Sequence, residues 1–352
     1  MIPIKVYIAI LAILLNAVGY SQPNGLFSIE DRLSVTERWN PLEENLKGAR
    51  IVALGENLHG VEEYNAVKLE LIKHLHEELG FDVIAIESDV ATNFLGNLYR
   101  ESIPDTTLLK ELFWPPWHTE EYLQLVRYLK AHQELKIIGL DVGTKKPLDA
   151  IADVLEVEID YADPAIASFQ VAYANWDEVN GANRKATVGK RDSTMAQVLS
   201  WVANELYPDD KIIIAAHNSH ISKVQVGKAC MGELLAHEYG SGYFSIGLFH
   251  STGDPKNVLR YITYENEASA LPESSIQYQL LKLSDKDFYL DIQAQKGNKQ
   301  RSWLFEELDN VLLIDKHQSR LNLGKSFDAV IWFKRVTHPD YIIENKYLER
   351  RK

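Results

Sequence analysis

The fold of this chain is decided by one short stretch, Arg50-Ile51-Val52-Ala53-Leu54 followed by Gly55-Glu56-Asn57-Leu58-His59-Gly60. The first part is an apolar run without strict alternation, which is typical of a β-strand covered on both faces. The second part is polar and has a glycine at each end. The stretch therefore predicts a buried strand that carries a glutamate and a histidine at its carboxyl end.

Four later runs have the same apolar character: Asp82–Ile86, Leu135–Leu140, Lys211–Ala216 and Tyr243–Phe249. Helical patterns lie between these runs. The clearest is an apolar stripe from Val61 to Leu79, which Gly80 ends as a C-terminal glycine does. A second helix is predicted from Thr119 to His132. Strands that alternate with helices predict an α/β fold with a mainly parallel central sheet flanked by helices.

The remaining segments predict edge strands and a helical insertion. The runs Phe288–Ile292, Val311–Ile314 and Ala329–Phe333 are further predicted strands, and we expect them to extend the sheet as antiparallel edge strands. No strand pattern occurs between about Pro147 and Leu206, so a helical cap over the active-site cleft is predicted at about residues 145–208. Because the sequence has no linker, a single domain is expected over residues 22–352.

Acidic side chains and histidines follow four consecutive predicted strands. Glu56 and His59 follow the first strand, Glu87 the second, Asp141 the third, and His217 and His220 the fourth. In open α/β sheets, ligands bind at the carboxyl ends of the strands. One polar residue after a strand is common, but four strands in succession place together the groups that move protons near neutral pH. The predicted catalytic residues are Glu56, His59, Glu87, His217 and His220.

Four further residues are predicted to bind substrate: Lys68, Trp117, Asp141 and Arg191. Lys68 falls in the middle of the apolar stripe after His59, where its ammonium reaches the rim, pairs with a glutamate or binds a substrate oxygen. Trp117 offers an aromatic face to a bulky ligand. Arg191 and Asp192 open a predicted helix that runs to Leu206. An aspartate in a first turn suits the helix dipole, whereas the arginine has no such local explanation.

Composition and missing motifs exclude several functions. The net charge of −13 repels phosphate backbones, so nucleic acid is not an expected partner. The single cysteine, Cys230, allows no internal disulfide and is expected to be a buried, inert thiol. The sequence lacks the G-x-S-x-G, H-E-x-x-H and G-K-[ST] motifs. Direct attack by an activated water is therefore the expected chemistry.

The N-terminus has the pattern of a secretory signal peptide. Lys5 precedes the apolar run Val6–Val18, and Gly19 and Ser21 are small residues at the −3 and −1 positions of the expected cut. We expect residues 1–21 to be removed and the mature protein to be periplasmic or secreted. The apolar run is short for a membrane span, so no span is expected after removal of the signal.

These residues resemble the erythromycin esterase family. The motifs that carry the resemblance are Gly55–Gly60, Gly80-Phe81, Glu87, Trp117–Glu121, Gly139–Asp141, Arg191-Asp192 with Met195-Ala196, Ala216–His220 and Met231-Gly232. The resemblance runs from about Ile29 to about Thr337. It implies a hydrolase that opens carboxylic esters, including macrolide lactones, without a covalent intermediate. We expect a small-molecule ester as the substrate and no cofactor, with a divalent metal at the glutamates and histidines as the open alternative. The resemblance also implies that His59 is the general base and that a basic residue, often arginine, occupies the position of Lys68.

Two other functions remain open from the sequence. The same glutamates and histidines could bind a divalent metal, as in the distantly similar Tiki-like metallopeptidases, and their donor atoms suit zinc or manganese. The chain could also be an exported binding protein that uses the same cleft without turnover.

Overall fold

The computed structural model describes residues 25–29, 34–143, 146–176, 184–224, 229–253, 256–257, 262–263, 271–311 and 318–343. The strands in these residues are β1 (Leu26–Ser28), β2 (Ile51–Leu54), β3 (Phe81–Asp89), β4 (Lys136–Asp141), β5 (Lys211–Ala215), β6 (Tyr243–Gly253), β7 (Lys256–Asn257), β8 (Ile262–Thr263), β9 (Phe288–Asp291), β10 (Leu308–Val311), β11 (Gln318–Leu321) and β12 (Ala329–Val336).

The helices lie between these strands. They are α1 (Val35–Leu46), α2 (Glu62–Leu79), α3 (Val90–Leu98), α4 (Asp105–Leu112), α5 (Glu120–Ala131), α6 (Leu148–Leu155), α7 (Pro164–Asn175), α8 (Arg184–Trp201), α9 (Asn218–Ile221), α10 (Met231–Tyr239), α11 (Ile276–Leu281) and α12 (Leu323–Ser326). Short 3₁₀ turns occupy Pro115–Trp117, Gly240–Gly242, Gln293–Gln295 and Lys299–Phe305, and a π-helical turn, Val202–Leu206, follows α8. None of the described helices has both the length and the apolar character that a bilayer crossing needs.

Eight strands form the central sheet, in the order β1-β9-β12-β6-β2-β5-β3-β4. The six strands from β12 to β4 are parallel to one another, and β9 pairs antiparallel with both β12 and β1. All four residues of β2 are buried, as the apolar run predicts. The predicted α/β fold with a mainly parallel sheet is confirmed.

The C-terminal strands depart from the expected arrangement. Strand β9 is antiparallel as expected, but β1 pairs with its outer side, so β9 is not the edge strand. Strand β12 lies further inside the sheet and pairs parallel with β6. The expectation of an antiparallel edge strand is therefore wrong for Ala329–Phe333. The run Val311–Ile314 starts at the last residue of β10, which pairs with β11 in a separate two-stranded sheet, and its later residues lie outside the described ones. Local hydrophobicity does not reveal which strand a run pairs with, because pairing is a long-range choice.

The helices agree closely with the sequence pattern. Helix α2 buries the predicted apolar stripe and ends at Gly80, whose φ of 66° is the left-handed conformation that glycine adopts most easily. The segment between β4 and β5 contains helices and no strand in its described residues. Aromatic rings of α7 and α8, including Phe169 and Trp201, pack together there. The proposed signal peptide, residues 1–21, lies outside the described residues.

Candidate active site

The predicted residues meet because four neighbouring strands end at one edge of the sheet. The strands β2, β5, β3 and β4 are adjacent and parallel, so their carboxyl ends lie side by side. Glu56 follows β2, His217 follows β5, Glu87 lies near the end of β3 and Asp141 ends β4. This is the edge at which ligands bind in open α/β sheets.

The first half of the site, here called the base half, consists of Glu56, His59 and Lys68. One carboxylate oxygen of Glu56 hydrogen bonds to Nδ1 of His59, and the other lies 2.6 Å from the ammonium of Lys68. Burial by itself would raise the pKa of Glu56, but the charges of Lys68 and His59 outweigh it and lower this pKa to about 2. Glu56 is therefore a permanently ionised carboxylate that orients His59.

The ring of His59 stands between two other rings. Its centroid lies 5.5 Å from that of Trp117 and 5.5 Å from that of His217, and both contacts are edge-to-face. The His59 side chain is 17% exposed, whereas that of Glu56 is 1% exposed. None of the described residues hydrogen bonds to Nε2 of His59. When Nδ1 donates its proton to Glu56, Nε2 carries the lone pair of a base.

The second half, here called the guanidinium half, consists of Glu87, Asp141, Arg191, Asp192 and His220. Arg191 lies at its centre and donates to Oε1 of Glu87 at 2.9 Å and to Oδ2 of Asp141 at 2.8 Å. Burial opposes the charge of Arg191, but the two carboxylates raise its pKa above the usual value. Burial would also raise the pKa of Glu87, but His220 and Arg191 lower it well below its usual range. The guanidinium also lies over the ring of Trp114.

His220 is held at both ring nitrogens. Its Nδ1 lies 2.7 Å from Oδ1 of Asp192, and its Nε2 lies 3.2 Å from Oε1 of Glu87 and 3.0 Å from Nη1 of Arg191. Burial by itself would lower the pKa of His220, but the two carboxylates raise it to about 9. At neutral pH His220 is therefore an imidazolium that donates both protons to carboxylates.

His217 joins the two halves and has the opposite protonation. Its backbone N–H donates to Oε2 of Glu87 at 2.9 Å, and its Nε2 lies 3.1 Å from the carbonyl oxygen of Asn57. Its Nδ1 accepts from the backbone N–H of Ser219. Burial and the neighbouring His59 lower the pKa of His217 to about 4, so the ring is neutral at neutral pH.

Two glycines permit this arrangement. A Cβ atom on Gly55 would lie 1.9 Å from Oδ1 of Asn218, whose side chain pairs with the backbone of Leu248 in β6. Gly139 of β4 pairs with Ile86 of β3, next to the point where the register shifts between Ile86 and Asp89. A Cβ atom on Gly139 would lie 2.3 Å from the carbonyl oxygen of Asp89. This bulge redirects the strand at Glu87.

All nine predicted site residues have a place in this cluster, but some make contacts other than those expected. Lys68 is 2% exposed and pairs with Glu56, which was one of the contacts expected for it, so its ammonium does not bind substrate in the open cleft as was also predicted. Asp141 holds Arg191 and caps the backbone N–H of Gly143. The buried ring of Trp117 contacts His59. The structure thus uses Lys68 and Asp141 to hold other charged groups.

Sequence reasoning missed the role of Asp192. We expected it to interact with the dipole at a helix N-terminus, but α8 begins at Arg184 and Asp192 lies within it. Its buried carboxylate accepts from Nδ1 of His220 and from the backbone N–H of Met231. The sequence feature that could have revealed this role is the pair Arg191-Asp192, in which two charged residues lie within a helical segment rich in apolar residues.

A metal at the glutamates and histidines was the alternative, and the donor set fits it poorly. Glu56 already forms an ion pair with Lys68, and Glu87 forms one with Arg191, so each carboxylate is neutralised by a cation of the protein itself. In the described part of the chain, a group of three ligands whose atoms all lie within 4.8 Å of one another is instead formed by His76, His132 and Glu134, away from this cluster.

A cavity of about 470 Å³ adjoins the cluster at Asn57 and His217. Its apolar lining comes from residues of β6, β11 and the loop before β12: Phe249, Leu321 and Phe327. Polar side chains at its wall include Asn310, Arg320 and Lys325. A mostly apolar cavity of this size with a few polar groups is typical of a small-molecule site.

Two overlapping parts of the chain, residues 76–182 and 165–336, match the sequence model of the erythromycin esterase family. This chain belongs to the erythromycin esterase family. The match covers most of the 352 residues and includes the whole guanidinium half, while the base half precedes it. The protein is therefore classed with the hydrolases of this family.

Two related proteins match this chain over most of their own length. YbfO of Bacillus subtilis, which is named as a candidate hydrolase, is 25% identical over 86% of this chain and 87% of its own length. Erythromycin esterase type II of Escherichia coli is 22% identical over 87% of this chain and 94% of its own length.

Two solved structures share the fold. A crystal structure of a Bacillus cereus protein has a TM-score of 0.67 and 19% identity, and the alignment covers 92% of this chain and 96% of that one. A mutant of the erythromycin esterase EreC, in its open conformation, has a TM-score of 0.59 and 17% identity, with 91% and 100% coverage. At identities this low, the likeness to these structures establishes only the fold of this chain.

Proposed function

We propose that this chain hydrolyses a carboxylic ester or lactone by the attack of a water molecule that His59 activates, without a covalent intermediate. The observation that carries the proposal is the hydrogen bond between Nδ1 of His59 and the buried carboxylate of Glu56. This bond fixes the tautomer in which Nε2 presents a lone pair to the cleft. A histidine held in this way is a general base near neutral pH.

The base half supplies the first proton transfer. Nε2 of His59 takes a proton from water as the hydroxide oxygen attacks the carbonyl carbon. Glu56, with a pKa of about 2, stays ionised and stabilises the imidazolium that forms. Lys68 holds Glu56 in place through the 2.6 Å contact. These contacts support Glu56 rather than Glu87 as the carboxylate that orients His59.

The guanidinium half supplies positive charge. In the proposed mechanism, Arg191 stabilises the oxyanion of the tetrahedral intermediate. The Arg191 side chain is 20% exposed, so part of it is accessible to solvent. The leaving alkoxide takes a proton from His220, whose pKa of about 9 keeps it protonated at neutral pH. The products are the carboxylic acid and the alcohol.

We assign a positioning role to His217 in place of the proton transfer expected from the sequence. With its pKa lowered to about 4, the neutral ring is a poor proton donor at neutral pH. Its Nε2–H donates to the carbonyl oxygen of Asn57, two residues before His59. His217 therefore holds the loop that carries the base.

A serine nucleophile is the second mechanism to consider, because Oγ of Ser219 lies 2.8 Å from Nδ1 of His217. Both residues line the cavity. A serine needs an adjacent base to become nucleophilic, and a histidine whose pKa is about 4 is a weak base. We therefore favour direct attack by water.

The substrate we propose is a small organic ester or lactone whose apolar part fills the cavity beside His217. The mostly apolar wall formed by Phe249, Leu321 and Phe327 supports such a group. Macrolide antibiotics are included in this proposal because relatives at 22% identity are named erythromycin esterases. Hydrolysis of such a drug would confer resistance.

We also propose that the protein acts outside the cytoplasm, since its N-terminus has the pattern of a signal peptide. Cell fractionation and N-terminal sequencing should find a periplasmic or secreted protein that starts at Gln22. A cytoplasmic protein that retains Met1 would contradict this proposal.

The function is tested by incubating the purified mature protein with macrolides and a panel of simple esters and measuring the carboxylic acid released. We expect turnover of at least one class, and we expect His59→Ala to lower kcat/KM by about 10²- to 10⁴-fold with its fold unchanged. Ser219→Ala is the matched control and should keep most of the activity. Equal activity of wild type and His59→Ala, or loss of activity in Ser219→Ala, would overturn the mechanism. Ligand uptake without turnover would indicate a binding protein.

A further inference from the structure

We propose that His76, His132 and Glu134 form a site for one divalent transition-metal ion such as Zn²⁺, at the edge of the sheet opposite the candidate active site. His76 lies in the last turn of α2, His132 follows α5, and Glu134 precedes β4. These positions adjoin the amino ends of β3 and β4, whereas the candidate active site lies at their carboxyl ends. The two sites are therefore separate.

The three side chains already have the spacing of metal ligands. One nitrogen of each histidine and one carboxylate oxygen of Glu134 all lie within 4.8 Å of one another. Nε2 of His76 lies 3.4 Å from Oε1 of Glu134, and Nδ1 of His132 lies 3.1 Å from the same oxygen. A metal ion between these atoms needs only small side-chain movements, because zinc–ligand bonds are about 2.0–2.2 Å long.

A fourth ligand is within reach. Oδ1 of Asp82, at the start of β3, lies 3.7 Å from Nε2 of His76. Two imidazoles with one or two carboxylates form a common tetrahedral set for Zn²⁺, and imidazole also suits Cu²⁺ and Ni²⁺. The His76 side chain is 7% exposed and that of Glu134 is 57% exposed, so the site is anchored in the protein and open to solvent.

A second observation supports the site, namely the hydrogen bond on the other nitrogen of His76. Nδ1 of His76 lies 2.8 Å from the hydroxyl of Tyr128, and that hydroxyl donates to Oε1 of Glu77 at 2.8 Å. The chain of bonds fixes the tautomer with the proton on Nδ1 and directs the lone pair of Nε2 toward Glu134. Metal-binding histidines nearly always have such a partner on the second nitrogen, and it raises their basicity.

The bound ion would have a structural role. It would join the carboxyl ends of α2 and α5 to the residues that lead into β4. Because binding to the folded state alone stabilises that state, the melting temperature should rise with metal concentration. The ion would take no part in ester hydrolysis, so the proposal is independent of the proposed function.

The test titrates chelator-treated mature protein with ZnCl₂ by calorimetry, with bound zinc counted by elemental analysis and the melting temperature followed in parallel. We expect one equivalent of zinc that is lost in His132→Ala and in Glu134→Ala. Tyr128→Phe should bind zinc about 10- to 100-fold more weakly, as expected when the hydrogen bond to a ligand is removed. His237→Ala, an exposed histidine on α10, is the matched control and should bind zinc as the wild type does.

His59→Ala distinguishes this site from the active-site cluster. It should retain the zinc equivalent and the rise in melting temperature. The proposal is overturned if wild-type protein binds no zinc, if His132→Ala and Glu134→Ala bind it unchanged, or if the equivalent disappears in His59→Ala. Circular dichroism in the presence of chelator shows that each variant is folded.

Discussion

The two halves of the candidate active site are assembled in different ways. The base half comes from one continuous stretch, in which Glu56 and His59 lie in a loop and Lys68 lies on the helix that follows. The guanidinium half joins the ends of β3 and β4 to the middle of α8 and to α9. Residues that are close in the chain thus form the base, and residues that are far apart form the charged frame around it.

The halves also differ in how many of their polar atoms are engaged. In the base half, Nε2 of His59 makes no hydrogen bond to the described residues, whereas both nitrogens of His220 are held. A group that must accept a proton needs a free lone pair, and groups that stabilise charge work best when they are fixed beforehand. The difference teaches that the base half is prepared to accept a proton, whereas the guanidinium half holds its positive charges, including the proton donor His220, in fixed positions.

The largest effect should come from removing the charge that orients the base. We expect Glu56→Gln to lower kcat by about 10²- to 10⁴-fold, because the amide no longer fixes the tautomer of His59 or stabilises its imidazolium. Steady-state kinetics on the best ester of the panel measure this loss. Glu78→Gln, an exposed position on the neighbouring helix α2, is the control and should be unaffected. A Glu56→Gln enzyme of normal kcat would remove Glu56 from the base half.

The next effect concerns the stability that the base half draws from its buried ion pair. We expect Lys68→Met to lower the free energy of unfolding by about 3–5 kcal/mol, because the buried Glu56 loses its cationic partner. Urea denaturation measures the change. Lys47→Met removes an ion pair with Glu44 whose side chains are 69% and 70% exposed, and it should change stability very little. Equal effects of the two substitutions would show that the buried pair is not important for the fold.

The junction between the halves should be sensitive to a single methyl group. Gly55→Ala places a Cβ atom 1.9 Å from Oδ1 of Asn218 and should cost about 1–3 kcal/mol of unfolding free energy. Gly48, which precedes the same strand, has no atom within 4 Å of an added Cβ. Gly48→Ala is therefore the matched control, and thermal melting compares the two. A neutral Gly55→Ala would mean that Asn218 moves away without cost.

The smallest effect is the pH dependence of the guanidinium half. The pKa of His220 is raised from 6.5 to about 9, so its contribution to stability is fully present below about pH 6.5 and is lost as the pH rises through about 9. We expect kcat to fall over the same alkaline range as the imidazolium loses its proton. In His220→Asn the rate should be lower by about 10²-fold, the lower end of the usual range for one general acid, and independent of pH there. If kcat of His220→Asn still falls over the same alkaline range, the fall is caused by the titration of another group.

Most of the fold could be predicted because its signals are local. The apolar run before Gly55 is a strand in the structure, and the stripe from Val61 to Leu79 is a helix that ends at Gly80. The place of Ala329–Phe333 could not be predicted, because an apolar run fits an inner or an edge position equally well. The parallel pairing of β12 with β6 joins residues far apart in the chain.

The candidate site divides in the same way. The sequence by itself determined which side chains end the strands, since the apolar runs stop at Glu56, Glu87, Asp141 and His217. Only the tertiary structure decided that Lys68 turns to Glu56, that Asp192 holds His220, and that His217 is neutral while His220 is charged. The physical reason is that hydrophobic periodicity is a property of neighbouring residues, whereas pKa values and ion pairs depend on which distant charges the packed chain brings together.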